Sequence, residues 1–357
     1  MDETIKVQWT KRVLYFKTPA GTSRGVLTKK TSWYLLLKDD RTQELKAIGE
    51  CGPIPGLSVD DIGHIENILT DICRNFHPDQ WLNGPRLERF LSVAFGLESA
   101  LFDLQHRQDG ILFPSAFTEG RYDIPINGLI WMGNRDFMHE QIASKLEENY
   151  RCIKIKIGAL DFLEECEILT AIRRDFGPNR LQIRVDANGA FTPDTALRKL
   201  QKLSAYDLHS IEQPIAAGQW KAMTELCRQT PIPIALDEEL IGVTEPEARQ
   251  QLLDEIQPQY IVLKPSLLGG FRQSQLWIEH AEKRNIGWWV TSALESAIGL
   301  NAIAQWTGSL NNIDKSMPQG LGTGEIYIDN FNSPLHLQND TLCYGKHMGW
   351  NYRNMGI

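Results

Sequence analysis

Residues 181–188 read Leu-Gln-Ile-Arg-Val-Asp-Ala-Asn, residues 208–214 Leu-His-Ser-Ile-Glu-Gln-Pro, and residues 232–238 Ile-Pro-Ile-Ala-Leu-Asp-Glu. Each is a short apolar, β-branched run that ends on a carboxylate: Asp186, Glu212 and Asp237. Helical text separates them, as at Thr195 to Leu203. Strand alternating with helix predicts a parallel sheet. The same unit continues outward. Cys152–Ile157 precedes the set and carries Lys154 and Lys156; Tyr260–Leu263 follows it and ends on Lys264; Gly287–Val290 ends on Thr291 and Ser292. Ile124–Ile130 is a further run, and Met317 to Gly322 is a weaker eighth candidate. Eight such units in about 200 residues fit a (β/α)₈ barrel. A doubly wound open sheet is the structural alternative.

The terminal residues are spaced 26 (186 to 212), 25 (212 to 237), 27 (237 to 264) and 28 (264 to 292) apart. One βα unit is about that long, so each falls at the same place in its unit. In a barrel the C-terminal strand ends converge on one mouth. Asp186, Glu212 and Asp237 then crowd together from consecutive strands and need a cation to stay ionised. An all-oxygen set predicts Mg²⁺, with Mn²⁺ as a substitute. Neither His nor Cys stands at these ends, which disfavours zinc. Lys156 and Lys264 flank the acids, and a partly desolvated ammonium near a second cation becomes a usable base. By strand alternation Lys154 points the same way as Lys156, so its charge can lower the Lys156 pKa. Asn188 and Glu238 lie within two residues of a ligand and are candidates to orient it. Ser292 and the Gly322-Thr323-Gly324 amides, at the last two strand ends, are candidates to hold the far end of a substrate.

Composition is ordinary for a soluble globular protein. The chain has 357 residues, 42% of them hydrophobic, which is ample for a core and excludes disorder as the main theme. A net charge of −8 argues against a nucleic-acid partner. The longest apolar run, Tyr34 to Leu37, falls far short of a membrane span, and Met1-Asp2-Glu3-Thr4 does not open a signal peptide. A cytoplasmic location is expected. Six scattered cysteines with no C-x-x-C pair are expected to be free thiols. Leu87, Phe90, Leu91, Ala94, Leu97, Leu101 and Leu104 predict an amphipathic helix with Pro85 near its start. His139-Glu140 opens like a zinc-protease helix but meets Ala143, and no G-x-S-x-G elbow occurs. Trp288-Trp289 reads as core packing.

Lys154-Ile155-Lys156, Asp186-Ala187-Asn188, Glu212-Gln213-Pro214, Asp237-Glu238, Lys264-Pro265-Ser266 and Gly320-Leu321-Gly322-Thr323-Gly324 resemble the motifs of the enolase superfamily. The likeness is closest to its muconate-lactonizing subgroup and, within that, to the o-succinylbenzoate synthase family. Gly49 to Gly56 is also similar to the first domain of that family. The resemblance implies an α/β fold: a modified TIM-like (β/α)₇β barrel over residues 123–324, with an α+β capping domain built from residues 1–122 and from a returning segment, 325–357. It implies that Thr18 to Gly25 is a specificity loop over the mouth, with Arg24 as a cation for an anionic substrate. It implies an Mg²⁺-dependent lyase acting on a small-molecule carboxylate. A lysine, by resemblance Lys156, takes the α-proton, the enediolate forms, and a β-hydroxyl leaves. The substrate implied is 2-succinyl-6-hydroxy-2,4-cyclohexadiene-1-carboxylate and the product 2-succinylbenzoate, a step of menaquinone biosynthesis. Two opposed lysines also suit an N-acylamino-acid racemase, a dipeptide epimerase or a cycloisomerase. No His follows the sixth or seventh strand, which disfavours the mandelate-racemase subgroup. Oligomeric state is left open.

Overall fold

The computed structural model describes residues 5–22, 25–106 and 110–346. The chain opens with β1 (Ile5–Thr22), β2 (Gly25–Asp39) and β3 (Leu45–Cys51), an antiparallel sheet in that order. The sequence alone predicts β-rich pieces at Thr31 to Leu37 and Ala47 to Glu50, parts of β2 and β3, but none in β1. The reason is a change of phase. Val7 and Trp9 pack into one apolar cluster, whereas Leu14 and Phe16 pack into another with Tyr327, so the buried positions pass from odd to even numbers. No single period-two pattern survives that switch. The helix Leu91–His106 lies against this sheet. It begins four residues later than the apolar spacing predicts. Asp60 sets the start, because its Oδ1 accepts from the Ser92 backbone N–H at 3.0 Å and from the Ser92 hydroxyl at 2.5 Å. Leu87 and Phe90 remain in the same core, Leu87 closing the short 3₁₀ turn Pro85–Leu87.

Beyond residue 120 the predicted alternation is present. Ile124–Ile130 splits into β4 (Ile124–Pro125) and β5 (Gly128–Ile130), because Ile126 and Asn127 donate their backbone N–H groups to Asp340 and Gln319. There follow β6 (Cys152–Lys156), β7 (Gln182–Asp186), β8 (Ser210–Glu212), β9 (Ile234–Leu236), β10 (Tyr260–Leu263) and β11 (Gly287–Val290). The seven strands β5 to β11 form one parallel sheet in sequence order. A helix crosses over between each successive pair. Asp161 caps one of these by accepting from Leu163 N–H, and Pro193 and Pro246 open two others, where a missing N–H costs nothing.

Alternation along each strand sorts the side chains. Ile153, Ile155, Ile183, Val185, Ile211 and Leu236 join the core under the helices. Each such burial contributes roughly 1.5 to 3 kcal/mol. Lys154, Lys156, Arg184, Asp186, Ser210 and Glu212 face the other side, and all are buried. The eighth candidate, Met317 to Gly322, does not form a strand of its own. It contributes two parallel bridges, Gln319 to Ile126 and Gly320 to Thr291. One short segment thus touches both edges of the seven-stranded sheet.

After it the chain returns to the first sheet: Tyr327 bridges Phe16, and Phe331 packs edge-on against Tyr34. β12 (Leu335–Gln338) then pairs with β13 (Thr341–Tyr344), and β13 pairs in turn with β4. Among the described residues, no helix is long and apolar enough to cross a membrane.

Candidate active site

Parallel register builds the site. Lys156 pairs across to Asp186, and Asp186 to Glu212. Asp237 follows β9 with the parity of Ala235, the partner of Glu212. Asp186, Glu212 and Asp237 therefore project to one side at one level. Each offers a carboxylate oxygen within 4.8 Å of the other two, and all three are buried. Gln213 fixes the spacing of two of them. It sits in left-handed backbone at φ 37°, and its side-chain oxygen accepts from the backbone N–H of Asp237 at 3.2 Å and of Glu239 at 3.3 Å. Sequence reasoning quoted Gln213 as part of a motif without giving it a task.

Three lysines meet the three acids. Lys154 binds Glu212 and lies 3.0 Å from Asp186 Oδ2. Lys156 donates to Asp186 Oδ2 at 2.6 Å and to Asn188 Oδ1 at 2.9 Å. Lys264 binds Asp237. Asn188 also donates to Glu238 at 2.9 Å, so Asn188 and Glu238 form one chain leading to Lys156. Burial opposes the charge on Lys154, but Asp186, Glu212 and Asp237 outweigh it and hold its pKa above the usual lysine range. Burial prevails at Lys156, where Lys154 and Lys264 add to it over the pull of Asp186, and its pKa is lowered. At Lys264 burial is overcome by Asp237 and Glu238, and the pKa is raised. Burial also opposes the charge on Asp186, yet the three ammonium groups keep its carboxyl far below the ordinary range. Glu212 is pushed up to about 7 by burial, then by Asp186 and Asp237, against the pull of Lys154.

The donor set fits a hard divalent cation. It is all oxygen, closely spaced and buried, and Glu212 Oε1 is buried without a hydrogen-bond partner. Uncompensated buried carboxylate oxygens are costly, and a cation satisfies them directly.

Above the acids lies a cavity of about 250 Å³. Lys154, Lys156 and Lys264 form its floor. Ser292, Gly322 and Thr323 line it, with Ser292 and Thr323 hydroxyls 2.6 Å apart. Gly324 does not line it; its carbonyl accepts from Asn330 at 2.8 Å. Arg24 lies outside the described residues, although its neighbours Gly25, Val26 and Leu27 border the cavity. The sequence alone assigns no task to Asn127, Leu129 and Trp131, on and beside β5, or to the wall of Ile54, Pro55 and Leu57. The only signal was that Ile54 and Pro55 fall within the Gly49 to Gly56 stretch.

Comparison with known proteins gives the same picture. The family described as "Enolase C-terminal domain-like" matches residues 138–324. A curated o-succinylbenzoate synthase of Desulfotalea psychrophila is 46% identical, covering 95% of this chain and 98% of its own. The crystal structure of MenC from Desulfotalea psychrophila matches with a TM-score of 0.82 and 43% identity, over 96% of this chain and 100% of that one. The L-Ala-D/L-Glu epimerase of Bacillus subtilis also superposes with a TM-score of 0.82 over 96% of each chain, but at 18% identity, a likeness of fold alone. Sequence, fold and the acid and lysine register agree: this chain belongs to the enolase superfamily and, within it, to the o-succinylbenzoate synthase family.

Proposed function

We infer that the chain catalyses the Mg²⁺-dependent dehydration of 2-succinyl-6-hydroxy-2,4-cyclohexadiene-1-carboxylate to 2-succinylbenzoate, in menaquinone biosynthesis. The observation that carries this reading is the row of charges on consecutive strand ends, with Asp186, Glu212 and Asp237 flanked by Lys156 and Lys264, under a cavity of mixed polar and apolar walls. Near-full-length identity of 46% to a synthase supports the same reaction.

Asp186, Glu212 and Asp237 would hold Mg²⁺, or Mn²⁺ in its place. The cation would neutralise the acids and draw charge from the substrate carboxylate, which acidifies the adjacent C–H bond. The protein groups do the rest. Lys156 takes the α-proton. Asn188 and Asp186 fix where that amine points. Lys264, from the strand beyond the acids, stabilises the electron-rich ring with its positive charge as the proton leaves. The proton taken by Lys156 is then passed to the departing hydroxyl, which leaves as water, and the ring becomes aromatic. Ser292, Thr323 and Gly322 receive the polar succinyl end. Val26, Leu27, Ile54 and Leu57 exclude water from the ring.

A closed (β/α)₇β barrel is part of this reading. It is supported by Gln319 and Gly320, which bridge to Ile126 and Thr291 at the two sheet edges. Residues 1–122 with the segment after 324 would form the cap, as the packing of Tyr327 and Phe331 on the first sheet supports. The six cysteines are all free, which supports a reducing, cytoplasmic setting.

An N-acylamino-acid racemase on the same site is the second reading, favoured by lysines on strands either side of the acids. A dipeptide epimerase fits less well: among the described residues lining the cavity none bears a carboxylate to receive an ammonium. Purified protein with Mg²⁺ is offered the cyclohexadiene and N-succinylamino acids in turn. Dehydration of the first is expected; racemisation alone would overturn the synthase reading.

A further inference from the structure

Leu294 lines the cavity in left-handed backbone, φ 61°, a conformation that is costly for a residue of its size. Such strain persists only where the surroundings dictate it. Three buried groups do so here. Glu295 Oε2 accepts from Ala293 N–H at 2.8 Å, and its Oε1 accepts from the hydroxyl of Ser266, two residues beyond Lys264. Tyr327 donates its hydroxyl to the Leu294 carbonyl at 2.7 Å. Glu50, in β3, accepts from Ser296 N–H at 2.9 Å, from the Ser296 hydroxyl at 2.5 Å and from Gly299 N–H at 3.0 Å. Glu50 is in turn held by Ser32 at 2.7 Å and by Lys30, 3.7 Å away. A side chain at residue 299 would collide with this arrangement, since a Cβ on Gly299 would lie 2.8 Å from Glu295 and 2.9 Å from Glu50 Oε2.

We propose that Glu50, Glu295 and Tyr327 are positioning residues. They lock the wall Ser292–Leu294 onto the first sheet and onto the segment that carries Lys264, so that the substrate's far end meets a preformed surface. None of the three lines the cavity. Their effect passes through residues 292–296 and Ser266. This role rests on reading the cavity as the substrate site.

The lock is separable from the metal site, which gives the test its discrimination. Glu295→Ala frees both Ala293 and Ser266, and KM is expected to rise roughly tenfold or more while kcat changes less, since misplacement of a binding wall acts first on substrate orientation. Mn²⁺ affinity of the protein should stay within about twofold of wild type, because Asp186, Glu212 and Asp237 stand on other strands. Glu295→Gln should restore most of the loss: its amide oxygen still accepts from Ala293, and its NH₂ donates to a rotated Ser266 hydroxyl. Tyr327→Phe removes a single hydroxyl and serves where the alanine variant fails to fold; a severalfold rise in KM is expected. Unchanged KM in Tyr327→Phe, or a lower melting temperature with unchanged kinetics in Glu295→Ala, overturns the proposal. A wild-type protein that neither turns over the cyclohexadiene nor binds 2-succinylbenzoate sinks the functional reading, and the lock with it. A fully active wild type with indifferent variants sinks the lock alone.

Discussion

Truncating Lys156 tests the chemistry most directly. In Lys156→Ala the cavity loses the amine that stands 2.6 Å from Asp186 Oδ2 and 2.9 Å from Asn188 Oδ1. The losses to the fold are small. Asp186 keeps Lys154 at 3.0 Å, and Asn188 keeps Glu238 at 2.9 Å. Neither group is left buried and alone, so the several kcal/mol that follow from orphaning a buried charge do not apply. What remains is the catalytic term. Proton transfer by a positioned base is worth about 10² to 10⁴ in rate. That corresponds to about 3 to 5 kcal/mol of barrier, at 1.36 kcal/mol per decade. Turnover of the cyclohexadiene should therefore fall by that factor, as followed by loss of its diene absorbance. Mn²⁺ binding should persist, because a cation competing for Asp186 has been removed rather than a ligand. Exchange of the α-proton with solvent deuterium in an N-succinylamino acid adds a second readout. Each single lysine variant should lose exchange for one enantiomer and keep some for the other. Dehydration by Lys156→Ala within tenfold of wild type would refute Lys156 as the base.

The remaining predictions concern metal, packing and pH. EDTA-treated protein should be inactive until Mg²⁺ or Mn²⁺ is restored, and Glu212→Gln should abolish the recovery while leaving far-ultraviolet circular dichroism unchanged; activity without metal removes the assignment. Asn188→Ala keeps its backbone N–H on Asp186 Oδ1 at 3.0 Å but releases Lys156, so turnover should fall about tenfold or more while Mn²⁺ binding by titration calorimetry stays within about twofold. Gly49→Ala should be severely destabilising, because its Cβ would stand 1.8 Å from the carbonyl oxygen of Gly96, where β3 crosses the helix Leu91–His106. Backbone cannot yield as a side chain can, so a loss of at least about 3 kcal/mol in urea denaturation is expected. Burial raises Asp60 from its ordinary value to about 6, against the hydrogen bonds of Ser92. Its folded pKa exceeds its unfolded one, so its contribution is complete below about pH 4 and is lost as pH rises through about 6. Asp60→Asn should lack that decline, of about 3 kcal/mol at 1.36 kcal/mol per unit, when denaturation is compared at pH 4 and pH 7.

How much of this was legible in the sequence differs from one element to the next. Asp186, Glu212, Asp237 and Lys264 stand out without coordinates, because each ends or directly follows a strand, and strands of one parallel sheet repeat at a nearly constant interval in the chain. Lys154 and Lys156 followed from alternation along one strand. Such periodicities are local properties, and a local property is written in the order of residues. The first strand was lost because its buried side changes between Trp9 and Leu14, and that change is imposed by two clusters built from distant residues such as Tyr327. The helix start at Leu91 was displaced by Asp60, 32 residues away along the chain from the Ser92 it caps. Only the tertiary structure set the protonation bias between Lys156 and Lys264, since burial and the sum of all neighbouring charges decide it, not either residue's own segment. The same holds for the wall Ser292–Leu294. Glu50 and Ser296 are 246 residues apart in the chain, and no spacing or period relates them. What joins them is the packing of the first sheet on the strand ends, a consequence of the whole fold's burial of apolar surface rather than of any motif.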